Sequence, residues 1–297
     1  VVWFGGEPLL GIKQIESLYR KMILIPDKNY SFSIISNGFL ISPDIIKLFK
    51  EMKLQHIQIT LDGLKETHNK IKFTKNENDT FSRTIKNIDL LASSAPEIRI
   101  SIRVNMNKEN SSEFITLYSF ILQRYKSNPL IGIYPAFITS TSSKSSSSCS
   151  LLFNRQEKSE FIQQLYYDRG IVTNLCGYPD SSFTECSIRN KHTFTIDPEG
   201  YLYKCWEIIG DQKYAIAKLD SEGTIQSIDQ KILNRYLYAA DPLEDKTCSK
   251  CPYLPICFGG CPHKRIENIF KDKHYDTCTY LKGSLKEFIK IHLSQNS

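Results

Sequence analysis

The sequence predicts an α/β protein: repeated βα units building a parallel sheet or barrel, followed by a small cysteine-rich domain with a β-hairpin and helices. Three observations carry this. Apolar strands alternate with amphipathic helices from residue 1 to about 137. The pattern changes character near residue 170, which divides the chain into 1–170 and 171–297. Beyond that boundary, Cys186, Cys205, Cys248, Cys251, Cys257, Cys261 and Cys278 crowd together.

Taken in order, Val1–Phe4 reads as a buried strand running into Gly5-Gly6. Ile12, Ile15, Leu18, Tyr19, Met22 and Ile23 then recur at helical spacing. Ser31–Ser36 is the next strand. Ser42 and Pro43 open a helix through Leu48, serine as its cap and proline in its first turn. His56–Leu61 is a third strand, followed by an irregular loop and a helix marked by Phe81, Ile85, Ile88 and Leu91. Ile98–Asn105 is a fourth strand, Phe114–Leu122 a helix and Leu130–Phe137 a fifth strand. Thr139–Ser150 is serine-rich and poor in apolar residues, so it reads as a linker or a lid. A helix over Gln156–Tyr167 follows. Thr193–Ile196 and Tyr201–Lys204 flank the turn Asp197-Pro198-Glu199-Gly200 as a β-hairpin. Helical pieces over Ile228–Ala239 and Leu281–Leu293 complete the chain.

Composition bounds the function. Hydrophobic content of 41% and charged content of 24% are those of a globular protein. No stretch reaches the roughly 18 consecutive apolar residues of a membrane span, and no signal peptide precedes the first strand. The expectation is a cytoplasmic protein with no membrane partner. The net charge of +6 is spread along the chain, which gives no nucleic-acid footprint but permits an acidic partner such as a peptide. The chain opens without methionine, on a residue already inside a strand, and is expected to be a fragment of a longer protein.

Cysteines used only as small hydrophobes have no reason to recur at such gaps as Cys248-x2-Cys251-x5-Cys257-x3-Cys261. Clustering without an export signal favours metal-bound thiolates over disulfides. Four thiolates hold either a tetrahedral zinc or a [4Fe–4S] cluster. Zinc ribbons usually pair two Cys-x2-Cys knuckles. Here there is one knuckle with single cysteines before and after, which suits two interleaved sites better. In the first half, Gly5-Gly6-Glu7-Pro8 places two glycines and a carboxylate directly after an apolar strand, where a backbone comes close to a ligand. Alone, the same tetrapeptide is an ordinary turn.

The pattern Cys186-x13-Gly200-x4-Cys205, then the Cys248–Cys261 run, then Cys278, resembles the SPASM domain of radical SAM enzymes. Gly259-Gly260-Cys261-Pro262 and Ile196-Asp197-Pro198-Glu199-Gly200 are similar to that family too. The resemblance implies one auxiliary [4Fe–4S] cluster on Cys248, Cys251, Cys257 and Cys278. A second would use Cys186, Cys205 and Cys261, with Cys176 as candidate fourth ligand; its alternative is an ordinary buried thiol. Gly5-Gly6-Glu7-Pro8 resembles the segment that holds the methionyl amino group of S-adenosylmethionine. Ser36-Asn37-Gly38 closes the next strand, and Thr60-Leu61-Asp62-Gly63 with His68-Asn69 resembles the family's Ser-Leu-Asp-Gly and His-Asp segments. Thr60 keeps the hydroxyl of the usual serine. Lys72, where arginine often stands, receives no role. Gly5, Gly6, Glu7, Asn37, Thr60 and Arg103 are thus the candidate cofactor contacts; Arg103 is equally suited to a salt bridge at the barrel end.

The fold so implied is a partial (β/α)6 radical SAM barrel missing its first strand, followed by the SPASM domain. The family's Cys-x3-Cys-x2-Cys loop is absent from residues 1–297, so a third, S-adenosylmethionine-binding cluster is expected in a missing N-terminus and the fragment alone is expected to be inactive. The implied activity is peptide maturation: a 5′-deoxyadenosyl radical abstracts hydrogen from a ribosomally made peptide or protein, one that is cysteine-rich if a thioether is formed. An electron donor such as flavodoxin or ferredoxin is implied as partner. Formylglycine formation of the sulfatase-maturase kind is an alternative; so is a non-catalytic iron–sulfur or electron-transfer protein, or a zinc-stapled one. No catalytic side chain is assigned.

Overall fold

The computed structural model describes residues 1–74, 77–139, 149–172 and 186–295. Most of the serine-rich stretch and all of the segment holding Cys176 lie outside them. The chain forms two compact units, Val1–Phe153 and Asn154–Ser297.

The first unit is built on five parallel strands in sequential order: β1 (Val2–Trp3), β2 (Ser33–Ser36), β3 (His56–Leu61), β4 (Arg99–Met106) and β5 (Ile131–Phe137). Every neighbouring pair is parallel, so each connection must cross over, and helices do this. They are α1 (Ile12–Met22), α2 (Pro43–Glu51), α3 (Lys65–Ile71), α4 (Thr80–Ser94) and α5 (Phe114–Arg124). Sequence and structure agree on the place of all five strands, but β1 is not the buried strand expected: it lies at the edge of the sheet, with Val1 and Val2 exposed. Ser42 Oγ accepts from Ile45 N at 3.4 Å with Pro43 in the first turn of α2, as expected.

Alternation sets the two faces of the sheet. Ile57, Ile59 and Leu61 of β3, and Ile100, Ile102, Val104 and Met106 of β4, are at most 1% exposed. With Ile88, Leu91, Leu117 and Ile121 from α4 and α5, they form a core in which each large aliphatic side chain contributes about 1.5–3 kcal/mol. The residues between them, His56, Gln58 and Thr60 on β3 and Ser101, Arg103 and Asn105 on β4, share the opposite face.

Helix α3 falls where the sequence suggested an irregular loop. Its seven residues are mostly polar and bury only His68, so no apolar stripe announces it. Distant groups hold it instead: Glu113 accepts from Leu64 N at 2.7 Å and from Thr67 Oγ1 at 2.5 Å.

The second unit begins with α6 (Arg155–Arg169), which carries a capping box between Asn154 and Glu157 and ends on left-handed Gly170. The expected boundary near residue 170 would leave α6 in the first unit. It belongs to the second, where it packs against the last helix: Tyr166 OH bonds Ser294 Oγ and Tyr167 OH donates to Glu287. The expected hairpin is present as β6 (Thr195–Ile196) and β7 (Tyr201–Tyr203), turned by Asp197, whose Oδ1 accepts from Glu199 N and Tyr201 N at 2.9 Å. It continues into β8 (Ala217–Leu219) and β9 (Ile225–Ile228), making a four-stranded antiparallel sheet. Next comes α7 (Gln230–Asn234), running into a π-helical turn over Arg235–Ala239. Then follow α8 (Leu254–Cys257), α9 (Pro262–Lys271) and α10 (Leu285–Gln295). No helix among the described residues is long and apolar enough to cross a membrane.

Candidate cofactor and metal-cluster sites

In the first unit, the polar residues gather on one face of the sheet and at the carboxyl ends of its strands. Register places Thr60, Arg103 and Tyr134 in one row across β3, β4 and β5. Tyr134 OH donates to Gln58 Oε1 at 2.6 Å, and His56 Nε2 lies 2.9 Å from Ser101 Oγ. Burial lowers the His56 pKa, with the Arg99 charge acting in the same sense.

Glu7 follows β1 and is occupied by backbone work. Its Oε1 accepts from Ser36 Oγ at 2.8 Å and Leu9 N at 3.1 Å, and its Oε2 from Asn37 N at 2.8 Å. The carboxylate thereby locks the end of β2 to the glycine loop. Asn37 Oδ1 in turn accepts from Phe39 N. Gly5 has φ +151°, and a Cβ added to it or to Gly6 would meet nothing within 4 Å. The loop therefore faces open space beside a braced carboxylate.

At the end of β3, Asp62 is 3% exposed. Its Oδ1 accepts from Asn105 Nδ2 at 3.0 Å, whereas Oδ2 is buried and, among the described residues, has no hydrogen-bond donor and only the Lys72 ammonium nearby, at 3.7 Å. Lys72, left without a role by the sequence, thus neutralises a buried carboxylate. Because Asp62 demands the NH2 side of Asn105, the amide oxygen faces Arg103, whose Nε donates to it at 3.0 Å. The two terminal nitrogens of Arg103 have no acceptor among the described residues, which leaves a bidentate fork on the polar face. Thr60 stands beside it in register. The loop glycines and Glu7 are joined to Asn37; Thr60 and Arg103 form a separate group on β3 and β4.

In the second unit, Cys248, Cys251, Cys257 and Cys278 line one cavity with Tyr253 and Lys282. The local fold explains how residues so far apart in sequence meet. Asp245 Oδ1 accepts from Thr247 N and Cys248 N, and Cys251 N donates to Cys248 O, closing a tight turn. Cys257 ends α8, and Phe258, Gly259 and Gly260 then take left-handed φ values of 48°, 76° and 72°. Three such residues in succession reverse the chain. A Cβ on Gly260 would lie 1.8 Å from Thr277 O, so glycine is what lets the segment bearing Cys278 approach. Arg265 Nη1 donates to Cys248 Sγ at 3.3 Å, and Lys282 Nζ to Cys278 Sγ at 3.7 Å.

Cys205 packs against the second unit's core of Ile188, Tyr203, Ile208, Tyr236, Ala240 and Ile266. Burial pushes its thiol up to about 12; the charges of Cys261, Glu207 and Cys186 add to this, and a backbone N–H from Glu207 opposes it. Cys186 and Cys261 are exposed. These three cysteines therefore share an electrostatic neighbourhood apart from the cavity quartet. Cys176 lies outside the described residues. Among the described residues, no three His, Cys, Asp or Glu side chains converge as they would on a single metal ion.

Residues 1–121 match the family model of the Radical SAM superfamily. That stretch is radical SAM sequence. A cysteine-type anaerobic sulfatase-maturating enzyme of Clostridium novyi (strain NT) is 25% identical to this radical SAM chain, covering 89% of it and 73% of the relative. Among solved structures, anSMEcpe with bound AdoMet aligns at a TM-score of 0.66 and 20% identity, over 99% of this chain and 82% of that one. SuiB of Streptococcus suis bound to S-adenosylmethionine aligns at 0.52 and 16% identity, over 88% of this chain and 61% of that one. These structural likenesses speak to the fold. Family and relative together make the chain that of a radical SAM enzyme.

Sequence reasoning missed Ser36, Asn105, Arg265 and Lys282. One carried a signal: Lys282 follows Cys278, the cysteine it contacts, by four residues, whereas Arg265 meets Cys248 seventeen residues away. Asn105 had none, since its partner Asp62 is distant in sequence.

Proposed function

We propose that this protein is a radical SAM/SPASM maturase that modifies a ribosomally made peptide or protein and carries two auxiliary [4Fe–4S] clusters. The observation that carries the reading is the cavity lined by Cys248, Cys251, Cys257 and Cys278. Thiolates standing around a hollow suit a cluster, each of whose irons takes one sulfur. Cys186, Cys205 and Cys261 are the proposed ligands of the second cluster, with Cys176 as the fourth.

The open loop at Gly5 and Gly6 fits S-adenosylmethionine, because backbone groups there can approach a ligand that any side chain would obstruct. Glu7 fixes that loop against Asn37, and Thr60 and the Arg103 fork offer donors for a carboxylate or ribose. When bound and reduced, the cofactor supplies a radical able to remove a substrate hydrogen. The protein's part is to hold the peptide residue on the polar face of the sheet and exclude water there. A reducing protein such as a flavodoxin or ferredoxin would serve as donor.

The Clostridium novyi relative favours a second reading, oxidation of a cysteine to formylglycine. Mass spectrometry of peptide treated with the full gene product, S-adenosylmethionine and dithionite separates the two. Thioether closure keeps sulfur and loses two hydrogens, whereas formylglycine formation from cysteine loses sulfur and two hydrogens and gains a carbonyl oxygen. Unchanged peptide together with unconsumed cofactor would sink both. For the clusters, anaerobic reconstitution should give brown protein with iron and sulfide, and zinc without sulfide would contradict the assignment.

A further inference from the structure

We infer that Arg265 and Lys282 raise the reduction potential of the cluster at Cys248, Cys251, Cys257 and Cys278, making it the readier electron acceptor. The inference rests on the ligand set proposed above.

Two different sulfurs of the quartet receive an N–H from a cationic side chain: Cys248 from Arg265 at 3.3 Å and Cys278 from Lys282 at 3.7 Å. Uptake of one electron makes a thiolate-ligated cluster more negative, and hydrogen bonds and positive charge at the sulfurs stabilise that state over the oxidised one. Arg265 is 6% exposed, so its charge is weakly screened. Its orientation is fixed by Nε donating to Ala240 O at 3.2 Å and Nη2 to Asp245 Oδ2 at 3.2 Å.

Asp245 offsets part of the Arg265 charge. Lys282 has no carboxylate within ion-pair distance among the described residues, and it lines the same cavity as the four thiols. The lysine is therefore the cleaner lever. The arginine is partly a structural brace as well, joining Ala240, Asp245 and Cys248.

The test is a dithionite titration of the reconstituted chain followed by electron paramagnetic resonance, tracking the signal that disappears in Cys251→Ser. Lys282→Gln should keep its iron and sulfide and shift the midpoint to a more negative potential, with Lys282→Glu shifted further. Arg265→Lys, which keeps the charge but loses the planar fork, should fall between Lys282→Gln and the parent. Coincident midpoints in the parent and both Lys282 variants at equal iron content would overturn the inference. So would loss of the cluster from Lys282→Gln, which would mark the lysine as structural. Full iron and an unchanged signal in Cys251→Ser would overturn the ligand assignment and the inference with it.

Discussion

Asn105 Nδ2 donates to Asp62 Oδ1 across 3.0 Å, and the same amide accepts from Arg103 Nε, so a buried carboxylate on one strand end aims a guanidinium on the next strand. Asp62 Oδ2 has no hydrogen-bond donor of its own among the described residues. Asn105→Leu would leave both oxygens without one, and the amino-terminal unit should lose about 1–3 kcal/mol. Urea denaturation with a probe in that unit reads this; an unchanged midpoint would show that the amide contributes nothing.

Stability and cofactor binding should separate at the glycine loop. Glu7→Ala strips acceptors from Ser36, Asn37 and Leu9 and is expected to cost about 1–3 kcal/mol. Gly6→Val places a side chain in open space, so stability should change by less than about 0.5 kcal/mol. S-adenosylmethionine affinity of the loaded protein, by equilibrium dialysis, should nevertheless fall about tenfold or more, roughly 1.4 kcal/mol.

His68 makes the stability of the amino-terminal unit acid-sensitive. Burial lowers its pKa from 6.5 to about 4, outweighing the Asp62 charge that pulls it upward, and its Nδ1 accepts from Asp62 N at 3.2 Å. The folded state holds the ring neutral where the unfolded chain would protonate it, so stability is lost as pH falls from about 6.5 to about 4. The full effect is on the order of 3 kcal/mol. Denaturation midpoints across that window should slope in the parent and flatten in His68→Gln.

Gly260→Ala would set a Cβ against the Thr277 carbonyl in a left-handed backbone conformation. The strain, about 1–3 kcal/mol, should be relieved by displacing Thr277 and with it Cys278. Iron and sulfide per chain should drop while far-ultraviolet circular dichroism stays near that of the parent. Full iron content would show that Cys278 does not depend on this approach.

Much of the frame was legible because it rests on local periodicity. The alternation in His56–Leu61 and the Ser42-Pro43 cap each report their own neighbourhood. Helix α3 was not legible because it is mostly polar and held by Glu113 far along the chain, and strands β8 and β9 because three and four residues are too short to show a period. The cysteine quartet could be grouped by resemblance, and the structure brings those four side chains to one cavity. Glu7 differs in kind. Its position after a strand was plain, but its engagement with Ser36 and Asn37 depends on how two strand ends meet.

The left-handed run Phe258-Gly259-Gly260 parts two cysteines that are near neighbours in sequence: Cys257 lines the cavity, and Cys261 is exposed and proposed to join Cys205 and Cys186. One reversal of the chain is thus a party wall between the two proposed clusters. Oxidative damage to either should unseat the wall and expose the other, so on exposure to air the iron of both sites should leave in a single kinetic phase.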